Sequence, residues 1–102
     1  MDLILYNIDK IKLLCEQHHV ASLFAFGSIT RNQLTPTSDV DFIVDIEDKD
    51  PLLYADDYFA LKFELAELLK RDIDLLESKS LKNKFLLEVI NNTKVLVYGK
   101  GN

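Results

Sequence analysis

The 102 residues contain one cysteine, three glycines, two prolines and no tryptophan. A single thiol, Cys15, excludes an internal disulfide framework and a CxxC metal knuckle, and it fits the reducing environment of the cytoplasm. No uncharged run approaches the ~20 apolar residues of a membrane span, so no membrane segment is expected. The opening MDLILYNIDKIK has Asp2 where a secretory signal would be basic, and it has no cleavage site. Basic charge is the other shortfall: 12 Lys and Arg stand against 17 Asp and Glu, a formal net charge of −5. Phosphate backbones need a basic face, so direct nucleic-acid binding is not expected. No repeat, low-complexity tract or linker interrupts the chain, and residues 1–102 are expected to form a single domain. At 48% hydrophobic and 28% charged residues the chain is too apolar for disorder and long enough for a real core.

What is present is an alternation of helical and strand patterns. Leu3, Ile4, Ile8, Ile11, Leu14 and Cys15 recur at helical spacing, which predicts an amphipathic helix ending near His18-His19. Residues 20–26 are a short, nearly continuous apolar run, suited to a strand buried on both faces. Gly27-Ser28 stops it, and a short helix opening at Ser28 is expected before the breaker Pro36. Residues 39–46, DVDFIVDI, are β-branched and predict a second strand. From Leu52 to Lys70, Tyr54, Tyr58, Leu61, Leu65, Leu68 and Leu69 keep a helical stripe, with Lys70 and Arg71 at the negative pole of the helix dipole. Residues 72–76 predict a third strand. Ser80 is a candidate cap for a fourth helix through Ile90, and residues 94–98 give a last strand before a Gly-Lys-Gly-Asn tail. The order is α-β-α-β-α-β-α-β, an α/β fold with a small sheet covered by helices.

Two features carry chemistry. Gly27-Ser28 at a strand end lets backbone approach a ligand closely, and a helix start there offers unpaired N–H groups for a phosphate. The same dipeptide equally describes a turn with Ser28 capping a helix. Asp39-x-Asp41 puts two carboxylates on one face of a strand, where they repel unless a cation or proton lies between them. Mg²⁺, with its preference for oxygen ligands and substrate phosphates, would resolve that repulsion; a solvated strand end is the alternative. Asp72 and Asp74 repeat the pattern on the third strand, and one of them completes a three-carboxylate cluster if that strand neighbours the second. A third carboxylate can take a proton from an attacking hydroxyl while two ions hold nucleophile and leaving phosphate.

Gly27-Ser28, ten residues, then Asp39-x-Asp41 has the GS-x10-DxD form of the nucleotidyltransferase superfamily related to DNA polymerase beta. The whole chain resembles its minimal nucleotidyltransferase (MNT) type, found beside HEPN-domain proteins in toxin–antitoxin pairs. Ile73-Asp74-Leu75-Leu76 is similar to that family's third-strand segment, so the resemblance assigns the third carboxylate to Asp74, with Asp72 as runner-up. It implies a nucleotidyltransferase fold and a Mg²⁺-dependent enzyme with two ions held by Asp39, Asp41 and Asp74. Gly27, Ser28 and Arg31 would bind the triphosphate of ATP. The implied reaction is transfer of AMP to a tyrosine hydroxyl of a HEPN ribonuclease toxin, which makes the chain an antitoxin working in a hetero-oligomer with that partner. The alternatives are an antitoxin that neutralises by binding alone, and a transferase acting on a small-molecule hydroxyl. The sequence departs from the family pattern at Ile29, where Arg is frequent, and at Asn32, where Gly is frequent. Loss of one cation should weaken triphosphate binding without abolishing the chemistry.

Other candidates are weaker. Adjacent side chains on a helix diverge, so His18-His19 is read as a helix-end pair rather than a metal site. Cys15 falls on the apolar stripe and is read as core. Tyr54, Tyr58 and Phe59 are read as core before interface, and Asp45 to Asp50 as a solvated acidic turn.

Overall fold

The computed structural model describes residues 1–99, so the end of the expected tail lies outside the described residues. The elements are α1 (Asp2–Tyr6), α2 (Ile8–Gln17), β1 (Val20–Phe26), a 3-10 turn at Gly27–Arg31, β2 (Val40–Ile46), α3 (Pro51–Leu69), β3 (Ile73–Glu77), a 3-10 turn at Ser78–Ser80, α4 (Lys84–Thr93) and β4 (Val95–Gly99). The four strands form one sheet in the order β3-β2-β1-β4. β1 runs antiparallel to β2 and β4, and β2 runs parallel to β3.

The strand alternation decides which face is buried. On β2, Val40, Phe42, Val44 and Ile46 are buried, and they pack in one core with Leu23 and Ala25 of β1, Ile11 and Cys15 of α2, and Leu61 and Leu65 of α3. Asp41, Ile43 and Asp45 fall on the opposite face by the period-2 rule. There Ile43 is covered while both acids keep partial access to solvent. α3 is launched by Asp50, whose carboxylate accepts from the Leu52 and Leu53 N–H groups, with Pro51 in the first turn.

Several boundaries differ from expectation, each for a local reason. The N-terminal helix is broken at Asn7, whose side-chain amide donates to the Leu3 carbonyl at 2.9 Å and so competes with the helical ladder. β1 is fully buried on one face only: Ser22, Phe24 and Phe26 are half-buried on the other. Segment 27–31 is a 3-10 turn rather than an α-helix. Asn83, not Ser80, caps α4, accepting from the Phe85 and Leu86 N–H groups. Lys70 ends α3 in the left-handed region at φ +56°, and Arg71 turns away from the dipole into a loop. Cys15, Tyr54 and Tyr58 join or border the core as expected, whereas Phe59 is exposed.

Candidate functional site

Three chain segments meet at the ends of β1, β2 and β3. Phe26, the last residue of β1, is the register partner of Asp41, and Asp41 is the register partner of Asp74. Side chains at paired positions of neighbouring strands share a face, so the Asp41 and Asp74 carboxylates stand side by side on the sheet face away from α2 and α3. Asp39 lies exposed immediately before β2, and Asp74 is exposed on β3. Asp72 precedes β3, and its part in the pairing is through its backbone, whose carbonyl accepts from the Val40 N–H at 3.0 Å.

Electrostatics tie the three acids together. The Asp41 carboxyl is pushed above the usual carboxylate range, first by burial, then by the negative charges of Asp74 and of Asp39. Among the described residues no Lys or Arg forms a salt bridge with any of the three. A divalent cation fits this donor set chemically, because it supplies the missing positive charge to oxygen ligands. Asp39, Asp41 and Asp74 also do not draw three ligand atoms to within 4.8 Å of one another, as a tight single-ion cage does.

Gly27 explains how the Asp41 carboxylate fits. Its φ is +76°, and a Cβ added there would lie 2.4 Å from Asp41 Oδ2. Glycine is required twice over, by conformation and by contact. The following turn leaves Ser28 unoccupied as a cap: the cap position is Phe26, no side chain caps the turn, and Thr30 Oγ1 instead donates to the Gly27 carbonyl at 2.7 Å. Arg31 is exposed at the end of the turn. Asn32 closes it at φ +54°, in the left-handed region that asparagine tolerates better than most residues. That conformation accounts for the residue type at a position where the resembling family favours glycine.

Arg71 is the residue that sequence reasoning missed. Its guanidinium donates to the carbonyls of Thr35 and of Ser38, the latter at 3.2 Å. Those carbonyls belong to a tight turn, in which the Ser38 N–H donates to the Thr35 carbonyl at 3.1 Å and the two hydroxyls are 2.7 Å apart. The turn delivers Asp39, so Arg71 braces the approach to β2 across the sheet edge. The turn was legible in Thr-Pro-Thr-Ser; the long-range brace had no local signal.

Further along the same open face, a groove of about 660 Å³ is walled by Phe24, Ile43 and Asp45 from the sheet and by Leu87, Asn91 and Lys94 from α4 and its end. Phe24 pairs with Ile43, so the groove begins one same-face step from the Phe26–Asp41 pair. The Lys94 ammonium sits 4.3 Å from the Phe24 ring centroid.

Comparison with known proteins follows the same lines. The profile of the family described as "Polymerase beta, Nucleotidyltransferase" matches residues 9–100. A protein of Methanocaldococcus jannaschii, provisionally named a protein adenylyltransferase, is 34% identical over 93 residues, covering 83% of this chain and 97% of its own. A solved structure provisionally named a minimal nucleotidyltransferase superposes with a TM-score of 0.74 at 27% identity, covering 93% of this chain and 95% of that one. A Shewanella oneidensis complex, described as a tri-AMPylated HEPN toxin with MNT antitoxin, shares the fold at a TM-score of 0.65 and 22% identity, over 94% of this chain and 72% of the other.

Proposed function

The chain belongs to the polymerase beta nucleotidyltransferase family and is a nucleotidyltransferase, and from that premise we propose that it moves AMP from ATP to a hydroxyl of a partner protein, a tyrosine of a HEPN-type ribonuclease toxin, and so acts as an antitoxin. The observation that carries the reading is the Asp41–Asp74 register pair, with Gly27 packed against one member and Asp39 charged beside it. The protein names support the chemistry: the Methanocaldococcus relative is named for protein adenylylation and the Shewanella complex for an AMPylated toxin.

Asp39, Asp41 and Asp74 are the residues to hold Mg²⁺, as two ions. When bound, the ions neutralise polyphosphate charge and favour the ionised form of the attacking hydroxyl. Gly27 brings backbone close to the triphosphate, and the Ser28 hydroxyl, free of any capping duty, donates to it. Arg31 reaches the β- and γ-phosphates and balances the charge of the leaving group. Asp74, beside Asp41, is the residue to orient the incoming hydroxyl and take its proton. A bond forms between the acceptor oxygen and the α-phosphorus, the bond from the α-phosphorus to the bridging oxygen breaks, and pyrophosphate leaves. The groove beside Phe24 and Ile43 receives the acceptor segment. The chain supplies mainly position and charge, as phosphoryl-type transfers require. The acceptor is a folded partner that completes the site in a hetero-oligomer, in the cytoplasm.

The test is mass spectrometry of the protein encoded next to this one, incubated with this chain, ATP and Mg²⁺. Additions of about 329 Da, the mass of an AMP unit by composition, are expected on a tyrosine, with one pyrophosphate released per addition. Rescue of toxicity that persists in the Asp39→Asn/Asp41→Asn double variant overturns catalysis in favour of neutralisation by binding. Modification of a small molecule with none of the protein overturns the partner assignment.

A further inference from the structure

The opposite end of β2 carries a second group of metal-ligand residues that the transfer reaction does not use. His19 Nδ1, an Asp48 carboxylate oxygen and an Asp57 carboxylate oxygen all lie within 4.8 Å of one another. Among the described residues no other set of three His, Cys, Asp or Glu side chains meets that condition. The members come from three places: the residue before β1, the β2–α3 connection and the second turn of α3. Asp41 and Asp48 are seven residues apart along an extended segment, so this group is about 20 Å from the catalytic acids.

The convergence has a definite backbone cause. His18 ends α2, and His19 adopts φ +57°, a left-handed conformation that turns its ring out of the helical sequence of directions. The two rings, which would diverge on a helix, both face Asp57: His19 Nδ1 is 3.0 Å from Asp57 Oδ2, and His18 Nδ1 is 3.7 Å from Asp57 Oδ1. The other nitrogen of His18 contacts Glu64, one heptad along α3 from Asp57.

Asp57 is the most enclosed member of the group. Asp57 is the one buried charged side chain among the described residues, at 9% exposure. Among those residues its ionic contacts are the two histidines, and no Lys or Arg forms a salt bridge with Asp48, Asp57 or Glu64. Three carboxylates therefore gather around two imidazoles. An imidazole N–H can satisfy Asp57 by hydrogen bonding, and a metal dication can take the place of that proton with the same donor atoms.

We propose that His19, Asp48 and Asp57 form a binding site for a transition-metal dication of the Zn²⁺ class, with His18 held between Asp57 and Glu64 beside it. One imidazole and two carboxylates suit a borderline ion, unlike the all-oxygen set that favours Mg²⁺ at the catalytic end. His19 is 63% exposed at its side chain, so a coordination position stays open to water. The site joins the start of β1, the β2–α3 connection and α3, and its occupancy stabilises the fold by mass action.

The experiment uses the full chain carrying Asp39→Asn, Asp41→Asn and Asp74→Asn, so that the catalytic acids contribute no binding. Zinc titration by calorimetry is expected to give one ion per chain, Co²⁺ to give visible ligand-field absorption, and added Zn²⁺ to raise Tm. His19→Ala and Asp48→Asn in that background are each expected to weaken Zn²⁺ binding by at least about tenfold. Asp48 lies in a connection, and its Asn variant can still accept the bond that Asp48 receives from the Asp50 N–H, so this variant tests ligation without endangering the fold. Absence of stoichiometric Zn²⁺ uptake at micromolar concentration, or binding unchanged in both variants, overturns the site and leaves a histidine–carboxylate clasp. The outcome is separate from nucleotidyl transfer, which the background variant has already lost.

Discussion

Asp41 and Asp74 occupy directly paired positions on the parallel strands β2 and β3, and the Asp74 charge adds to burial in pushing the Asp41 carboxyl above its ordinary range. Parallel pairing brings them to one face because both precede an apolar run that must fill the same core: Phe42 opposite Leu75, and Val40 opposite Ile73. The core thus sets the register, and the register sets the site.

Replacing Asp41 by Asn should separate stability from activity. Its carboxyl has a folded pKa above its unfolded value, so folding resists the charged form. That contribution to stability is present below the ordinary carboxylate range and is lost as pH rises through the raised value. The neutral Asn escapes the loss. We expect Asp41→Asn to raise Tm near neutral pH without divalent metal, to leave Tm little changed at pH 3, and to reduce transfer by about 100-fold or more. Melting curves at the two pH values and a pyrophosphate-release assay check both halves. A lower Tm at neutral pH would contradict the crowding of charge.

Gly27→Ala tests the closeness of the turn to the carboxylate. The added methyl meets Asp41 Oδ2 at 2.4 Å in a backbone conformation with φ +76°. Left-handed backbone costs a non-glycine residue about 1–2 kcal/mol, and displacement of the Asp41 side chain adds to that. Tm should fall by several degrees and kcat/KM by an order of magnitude or more. An alanine variant with unchanged kinetics would remove Gly27 from the site.

Much of this was legible in the sequence, and the parts that were not share a cause. Gly27, Asp39 and Asp41 lie close enough in the chain for spacing to mark them as candidates, and the apolar runs around Phe42 and Leu75 announce the strands that carry Asp41 and Asp74. Asn32 departs from the family pattern in residue type, and its φ of +54° shows why an asparagine serves there. Helix limits were missed where asparagine side chains intervene, at Asn7 and Asn83, because their local bonds compete with or cap the ladder. The convergence of His18 and His19 on Asp57 depends on one backbone torsion and on packing between α2 and α3, neither of which has a signature in residue order.

Cys15 should behave as inert core. It is fully buried, and burial with the nearby Glu16 charge pushes its thiol up to about 12. Such a thiol holds roughly a thousandfold less thiolate at pH 8 than an ordinary cysteine, before the loss of access is counted. A thiol reagent at pH 8 should label the chain only as fast as it opens, and addition of denaturant should accelerate labelling sharply. Rapid labelling of the folded protein would show that α2 opens far more readily than its packing indicates.

Arg71 should act through Asp39 rather than on substrate. Its guanidinium holds the carbonyls of Thr35 and Ser38, and the residue after Ser38 is the first carboxylate of the site. Arg71→Ala removes both donors and frees the turn, while Arg71→Lys keeps a cation that can reach one or both carbonyls. The bonds lie at the surface or only partly buried, so the loss of stability should be no more than about 1 kcal/mol. Transfer should fall about tenfold in the alanine variant, with the Mg²⁺ concentration for half-maximal rate raised, and lysine should restore much of both. The metal dependence is the decisive readout: a merely structural arginine would shift Tm and leave the Mg²⁺ requirement where it was, whereas a brace for Asp39 moves that requirement even at temperatures well below unfolding.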